Sequence, residues 1–343
     1  MCAKVLYVAT SRNTMGGISS VLKKYENMLI WDKYSCTWLE TQSNKSMLHK
    51  LWYLVKSYFL MLFQVPKNDI IHFHTVPGIS LVIQLPIFLF SIICGKHIVV
   101  HIHVGNQLLD YSNDKLFLFV LKNATRVVVL ANALKEIMKD IYDVDSSVLY
   151  NPIEIPICRD ENNIEKNIFF AAYLTKNKGY DTLLKAFKII SEKYSDWKLI
   201  IAGTGELDIV KRMLIELEIT ENVEIYPWLN KEQMNYMYQK ASIYCIASYK
   251  EGFPMSFIEA ASYGVPIVTT PVGGLVDVIE DGVNCLTFDF GNEKELARQL
   301  ETLIVDKNLR YKMSENIRNL AITEFSLESI NKRIDELYQS IIL

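Results

Sequence analysis

Two acidic side chains, Glu251 and Glu259, are separated by seven residues in the segment ASYKEGFPMSFIEAASYGVPIVTTPVGG, residues 247–274. A strand-like apolar run ends at Ser248, and Pro254 stands where a helix would begin, which suits its fixed φ and missing donor. Glu259 falls inside that helix among Phe257, Ile258, Ala260 and Ala261. A carboxylate in such surroundings is costly if buried without partners. Ionised Glu only accepts hydrogen bonds, so the hydroxyls of a sugar or ribose are suitable partners. The helix start adds unpaired N–H groups and a positive dipole end, which favour a phosphate. One short segment thus offers donors to an anion and two acceptors for polyols. The plainer alternative is an amphipathic helix with one exposed Glu.

Histidines form a second group. His103 closes the run HIVVHIHV (97–104), His101 sits one pleat earlier, and IIHFHTV (70–76) carries His72 and His74. Two H-x-H pairs on neighbouring strands would put their imidazoles on one face, an arrangement able to hold a metal. A hydrolytic metal centre would also want carboxylates, and Asp110 is the only obvious one. His72 and His74 therefore read as core or rim histidines, and no metal site is expected. Three motifs are set aside. DVD (143–145) lies on a helix-to-strand connection. DFG (289–291) has no H-R-D or glycine-rich companion. Gly203-Thr204-Gly205, alone, is weak evidence for a dinucleotide.

The elements that must carry these residues are short apolar runs alternating with helical patterns. Strands are expected at 4–10, 70–76, 97–104, 126–131 and 147–151, then at 167–174, 198–203, 223–228, 242–248 and 266–270. Nearly continuous apolar strands between helices indicate parallel sheets covered on both faces. The stretch 152–167, with two prolines, charges and asparagines, reads as a linker. The expected fold is α/β, two Rossmann-like doubly wound parallel-sheet domains facing across a cleft. Domain one would span 1–155 and domain two 166–325, with the C-terminal helix 326–343 packing back on the first. In such sheets ligands bind beyond the carboxyl ends of the strands.

Composition narrows the class further. The chain has 343 residues, half of them hydrophobic, which excludes wholesale disorder. Its 36 basic and 39 acidic residues leave no global field for nucleic acid. Six cysteines at 2, 36, 94, 158, 245 and 285 form no C-x-x-C pair, and with no leader-like N-terminus a cytoplasmic setting is expected. Residues 76–95 carry no charge, but Pro77, Gly78, Gln84 and Pro86 argue for a buried helix over a membrane span.

The pattern E-G-F-P-x-S-x-I-E-A, followed by G-x-P-I-V and V-G-G, resembles the E-x7-E signature of retaining glycosyltransferases of family 4, which have the GT-B fold. The resemblance extends along the chain: Gly16-Gly17 after the first strand, His103 in HIHVGN, YNPIEI at the junction, AAYLTKNKGYDTLLKAF, and Gly203-Thr204-Gly205. It implies that Glu251 meets the donor sugar, that Glu259 meets the ribose, and that Lys178 meets the diphosphate. His103 is implied near the reacting centre. The remaining donor-binding candidates are Gly252, Phe253, Pro254, Gly203, Gly205, Tyr173, Gly16 and Gly17. Tyr173 stands where the family has an Arg, a departure that removes a charge. Base contacts are expected around Tyr226–Trp228.

The implied reaction moves a sugar from a nucleoside diphosphate sugar to a hydroxyl of a saccharide or lipid-linked saccharide, with retention, without metal or other cofactor, in cell-surface polysaccharide synthesis. The acceptor should face the first domain, where residues 1–67 hold nine Lys/Arg against three Asp/Glu. Residues 44–63 carry Lys45, Lys50 and Lys56 interleaved with Trp52, Tyr53, Tyr58 and Phe59. Such a face suits an anionic membrane surface, at the inner side of the cell membrane; the alternative is a core helix with a wet lysine edge. Two rival functions are a nucleotide-sugar epimerase of the same fold and a sugar-nucleotide-binding protein that has lost catalysis.

Overall fold

The computed structural model describes residues 3–14, 16–43 and 46–342, with Asn106 and Gln107 described by their backbone alone. Lys45 lies outside the described residues. The described residues form twelve strands: β1 Val5–Ala9, β2 Thr37–Glu40, β3 Ile70–Thr75, β4 His97–Ile102, β5 Arg126–Val129, β6 Ser146–Val148, β7 Asn167–Ala171, β8 Lys198–Ala202, β9 Val223–Tyr226, β10 Ile243–Ile246, β11 Ile267–Thr269 and β12 Cys285–Thr287. They make two parallel six-stranded sheets, ordered β2-β1-β3-β4-β5-β6 and β12-β11-β10-β7-β8-β9. The expected doubly wound α/β class is the one observed. Two strands had no counterpart in the sequence reading, β2 and β12. Both are edge strands, four and three residues long, too short for a periodic signal.

The chain divides into two compact units. Unit 1 runs to Pro152 and includes the chain from Phe325 onward; unit 2 is Ile153–Glu324. In unit 1 the central strands β1 and β3 are buried along their whole length, as strands covered on both faces must be. The C-terminal helix Leu327–Ile342 buries Ile330, Ile334, Tyr338 and Ile341, a three-to-four spacing that makes one apolar stripe. Its polar flank is tied to the rest of unit 1. Asn331 Oδ1 accepts the Ile30 N–H at 2.8 Å, and Asp335 Oδ1 accepts from Lys33 Nζ at 2.6 Å and Tyr34 OH at 2.7 Å.

In unit 2 the helix Tyr180–Lys193 sets Leu183, Leu184, Phe187 and Ile190 against Ile168, Phe170, Leu199 and Ile201 of β7 and β8. The segment after Ile153 is held to this unit by arginines. Arg159 donates to the carbonyls of Ala241 and Gly264, at 2.5 and 2.7 Å, and Arg318 donates to Pro156 O at 2.6 Å.

The charge-free stretch near residue 80 corrects an expectation. It forms the helix Ile79–Ile93, but the helix is not enclosed. Leu81, Gln84, Ile87 and Phe88 face inward, whereas Ile79, Val82, Leu89, Ile92 and Ile93 are exposed. Periodicity could not show this, because the helix is apolar all round. No helix among the described residues is long and apolar enough to cross a membrane.

Candidate functional site

In unit 2 the chain winds from β7 to β8 and β9 on one side, then returns to place β10, β11 and β12 on the other. The reversal falls between β7 and β10, the neighbours at the centre of the sheet. At such a switch point the loops leaving two adjacent strands diverge and open a crevice beyond their carboxyl ends. Lys178 lies in the loop after β7, and Glu251 in the loop after β10. The two meet across this crevice: Lys178 Nζ lies 2.5 Å from Glu251 Oε1, with side chains 27% and 13% exposed. Residues 73 positions apart are joined because their strands are adjacent.

Three loops converge here. Ser248 Oγ donates to Glu251 Oε1 at 2.8 Å, and Ser248 is itself held by Thr270 Oγ1, which donates to its carbonyl at 2.6 Å. Tyr249 N–H donates to Asn177 O at 2.8 Å, coupling the β10 loop to the β7 loop. Gly274 N–H donates to Gly252 O at 2.7 Å, coupling it to the loop after β11. Gly273 makes that approach possible. Its φ is +57°, and a Cβ there would lie 2.2 Å from Glu251 O and 2.6 Å from Gly252 O.

Pro254 is the residue just before the helix Met255–Ser262. Phe253 and Pro254 are buried, and the Phe253 ring packs edge-on to Phe257, so both shape the turn with their side chains. Glu259, on the second turn of the helix, is half-buried, and its Oε2 accepts from Tyr238 OH at 3.0 Å. Tyr238 is wholly buried among Phe169, Tyr244 and Tyr263. Burial, reinforced by Tyr244 and Glu259, pushes its phenol well above the ordinary range, so it stays a donor. The sequence reading missed Ser248 and Tyr238 as positioning groups. Ser248 borders the motif and was open to discovery; Tyr238 comes from the separate helix Lys231–Lys240 and carries no local signal.

The other candidates in unit 2 lie at the same end of the sheet. Tyr173 follows β7 and is 63% exposed. Gly203 and Gly205 follow β8, and a Cβ on Gly203 would meet Ala172 O at 1.8 Å. The G-x-G thus lets the β8 loop close against the segment after β7, where Leu174 N–H donates to Thr204 O. At the end of β9, Tyr226 OH donates to Glu224, and Trp228 beyond it is exposed.

In unit 1 the corresponding reversal lies between β1 and β3. Gly16 and Gly17 stand after β1, at the start of the helix Gly17–Tyr25, and a Cβ on either would meet nothing within 4 Å. Packing inside unit 1 therefore does not demand glycine at these positions. His103 follows β4; it is half-buried, its N–H donates to Thr75 O at 2.9 Å, and its Nε2 lies 2.8 Å from His74 Nδ1. Burial pushes its pKa down to about 3, so the ring is neutral.

Residues 157–320 match the family model of glycosyl transferases group 1. The chain is 29% identical over 233 residues to an uncharacterised glycosyltransferase of Haemophilus influenzae, covering 66% of this chain and 64% of that one. It is 27% identical over 173 residues to the capsular polysaccharide biosynthesis glycosyltransferase CapM of Staphylococcus aureus, covering 50% and 46%. The chain thus spans less than two thirds of the length of these curated relatives. Among solved structures, HepE of Anabaena in complex with UDP superposes with a TM-score of 0.78 at 19% identity, over 98% of this chain and all of that one. That likeness establishes the fold, the GT-B architecture of two doubly wound sheets.

Proposed function

We propose that the chain is a retaining glycosyltransferase that takes a sugar from a nucleoside diphosphate donor, with UDP as the first nucleotide to test. The observation that supports this best is the placement of Lys178 and Glu251 on opposite sides of the unit 2 switch point, with Glu259 held nearby. In this reading Lys178 and the amides at the start of the helix Met255–Ser262 take the diphosphate, and Glu259 takes the ribose hydroxyls. Glu251 orients the sugar. The C–O bond between the anomeric carbon and the diphosphate breaks, and negative charge grows on the departing oxygen. Lys178 and the fixed amides stabilise that charge as it forms, with no need of a divalent cation. The acceptor hydroxyl attacks the same face, and its proton passes to the departing phosphate. Tyr173, which brings no charge, leaves Lys178 as the cation nearest this task. The open glycines Gly16 and Gly17 leave room for a ligand's close approach, and His103 serves the sugar and acceptor end.

The helix Met47–Gln64 supports a membrane-facing acceptor, a saccharide carried on a lipid. Met47, Leu48, Leu51, Trp52, Val55, Phe59, Leu62 and Phe63 are all exposed, and Lys50 and Lys56 lie among them. A patch of this kind on a folded protein marks an interaction surface. Tyr58 OH donates to Ile83 O at 2.9 Å, so the half-exposed helix Ile79–Ile93 lies alongside and widens it. Replacing Lys50, Trp52 and Lys56 together should weaken binding to vesicles of anionic lipid; unchanged binding removes this part of the proposal.

The donor reading is tested by a thermal-shift screen of nucleotide sugars. A ligand at 100 times its dissociation constant stabilises by about 2.7 kcal/mol, and Glu259→Gln should abolish the shift for the right donor. Conversion of the donor in the absence of any acceptor would point instead to an epimerase. Binding with no product across an acceptor panel would point to a protein that only binds.

A further inference from the structure

Register and pleat bring histidines together inside unit 1. His74 of β3 stands directly beside His101 of β4, with His72 one pleat away on the same face. All three side chains are wholly buried. Their rings are close: His74 and His101 centroids are 4.7 Å apart, His72 and His74 4.7 Å, and His72 and His101 5.7 Å. Two of them are fixed from behind. His72 Nδ1 pairs with Tyr338 OH of the C-terminal helix at 2.7 Å, and that hydroxyl donates to Tyr7 OH at 2.7 Å. His74 Nδ1 pairs with His103 Nε2 at 2.8 Å. The remaining nitrogens, Nε2 of His72, Nε2 of His74 and both of His101, are buried without a hydrogen-bond partner. One nitrogen from each residue falls in a set whose members all lie within 4.8 Å of one another.

Orphaned polar atoms in a protein interior are costly, and four of them on three neighbouring rings call for a partner. We propose that His72, His74 and His101 bind one divalent cation of the late first transition row, with Zn²⁺ the first choice. An all-imidazole set suits zinc, copper or nickel and offers nothing to magnesium or calcium. The outer contacts are those a metal-ligating imidazole uses to fix tautomer and ring orientation. At Zn–N distances of about 2.0–2.1 Å, tetrahedral ligand atoms lie about 3.4 Å apart, so the nitrogens must draw in by roughly an ångström. The sequence reading expected packed core histidines and no metal; the unpartnered nitrogens are what changes it. The ion's role is structural. It joins β3 to β4 and, through Tyr338, fastens the C-terminal helix to unit 1. Its test does not depend on sugar transfer.

The test uses the untagged 343-residue chain, purified without chelator, with metal content read by mass spectrometry. About one zinc per chain is expected. Stripped protein titrated with Zn²⁺ should gain thermal stability, and with Co²⁺ should develop the visible bands of a tetrahedral site. His101→Gln should lose the metal, whereas His49→Ala, at an exposed histidine, should keep it. Stripped wild-type protein that neither melts higher with Zn²⁺ nor shows Co²⁺ bands overturns the proposal. Full metal retention by His101→Gln overturns it equally. Should that variant fail to fold, the wild-type stoichiometry and Co²⁺ spectrum decide alone.

Discussion

Replacing Gly273 by alanine tests whether the loops after β10 and β11 act as one piece. The new Cβ would sit 2.2 Å from Glu251 O and 2.6 Å from Gly252 O. A carbon and a carbonyl oxygen rest about 3.3 Å apart at closest, so the Glu251 carbonyl must retreat by about 1 Å. A displacement of that size at a reacting centre lowers turnover by about 100-fold. The positive φ of +57° adds about 1–2 kcal/mol of backbone strain in any L-residue. Gly282 separates these two effects. Its φ is +76°, yet a Cβ there meets nothing within 4 Å. Gly282→Ala should lose a few degrees of melting temperature, at roughly 2–4 °C per kcal/mol, and keep its activity. Gly273→Ala should lose a similar or greater amount of stability and, in addition, most of its donor turnover. The assay is steady-state release of nucleoside diphosphate from the donor found by thermal shift, alongside melting curves. Equal turnover by the two variants would show that the glycine clamp does not position Glu251, and the reasoning would fail.

Tyr238→Phe removes one donor to Glu259, which costs about 0.5–1.5 kcal/mol and should weaken nucleotide-sugar affinity several-fold by calorimetry, less than Glu259→Gln does. Lys178→Ala should weaken UDP by about 1.5–3 kcal/mol while leaving uridine nearly unaffected, since the lysine is assigned to the phosphates; equal losses for both would remove that assignment. Phe187→Ala, in the core of unit 2, should destabilise that unit by about 3–5 kcal/mol in denaturant titration.

What could be read from the sequence divides along physical lines. The long apolar strands announced themselves, because a strand buried on both faces is an unbroken run of Val, Ile and Phe. β2, as TWLE, and β12, as CLT, did not, being short strands at the sheet edges. The Glu251–Glu259 spacing was legible because both residues lie in one local element pair. Lys178 was picked out only through a family resemblance, and its contact with Glu251 was not foreseen, since nothing near Lys178 points to a partner 73 residues on. The H-x-H pairs were visible as patterns, but their neighbour Tyr338 is 266 residues from His72, and without it neither the fixed tautomer nor the leftover nitrogens could be foreseen. The helix Ile79–Ile93 shows the opposite failure: uniform hydrophobicity suggested enclosure, and the fold left one side bare.

The strand order of unit 2 has a temporal meaning. β7 cannot sit beside β10 until the chain has made β8 and β9, crossed over and continued past residue 246. The clamp from Gly274 closes later still during synthesis. A nascent chain halted just short of that point would contain well over half the protein and, on the proposed reading, still be unable to grip a donor. Nucleotide sugar would stabilise only the finished sheet, since joining distant strands is the slow, entropically opposed part of such a fold. Added donor should therefore slow unfolding of unit 2 more than it speeds folding.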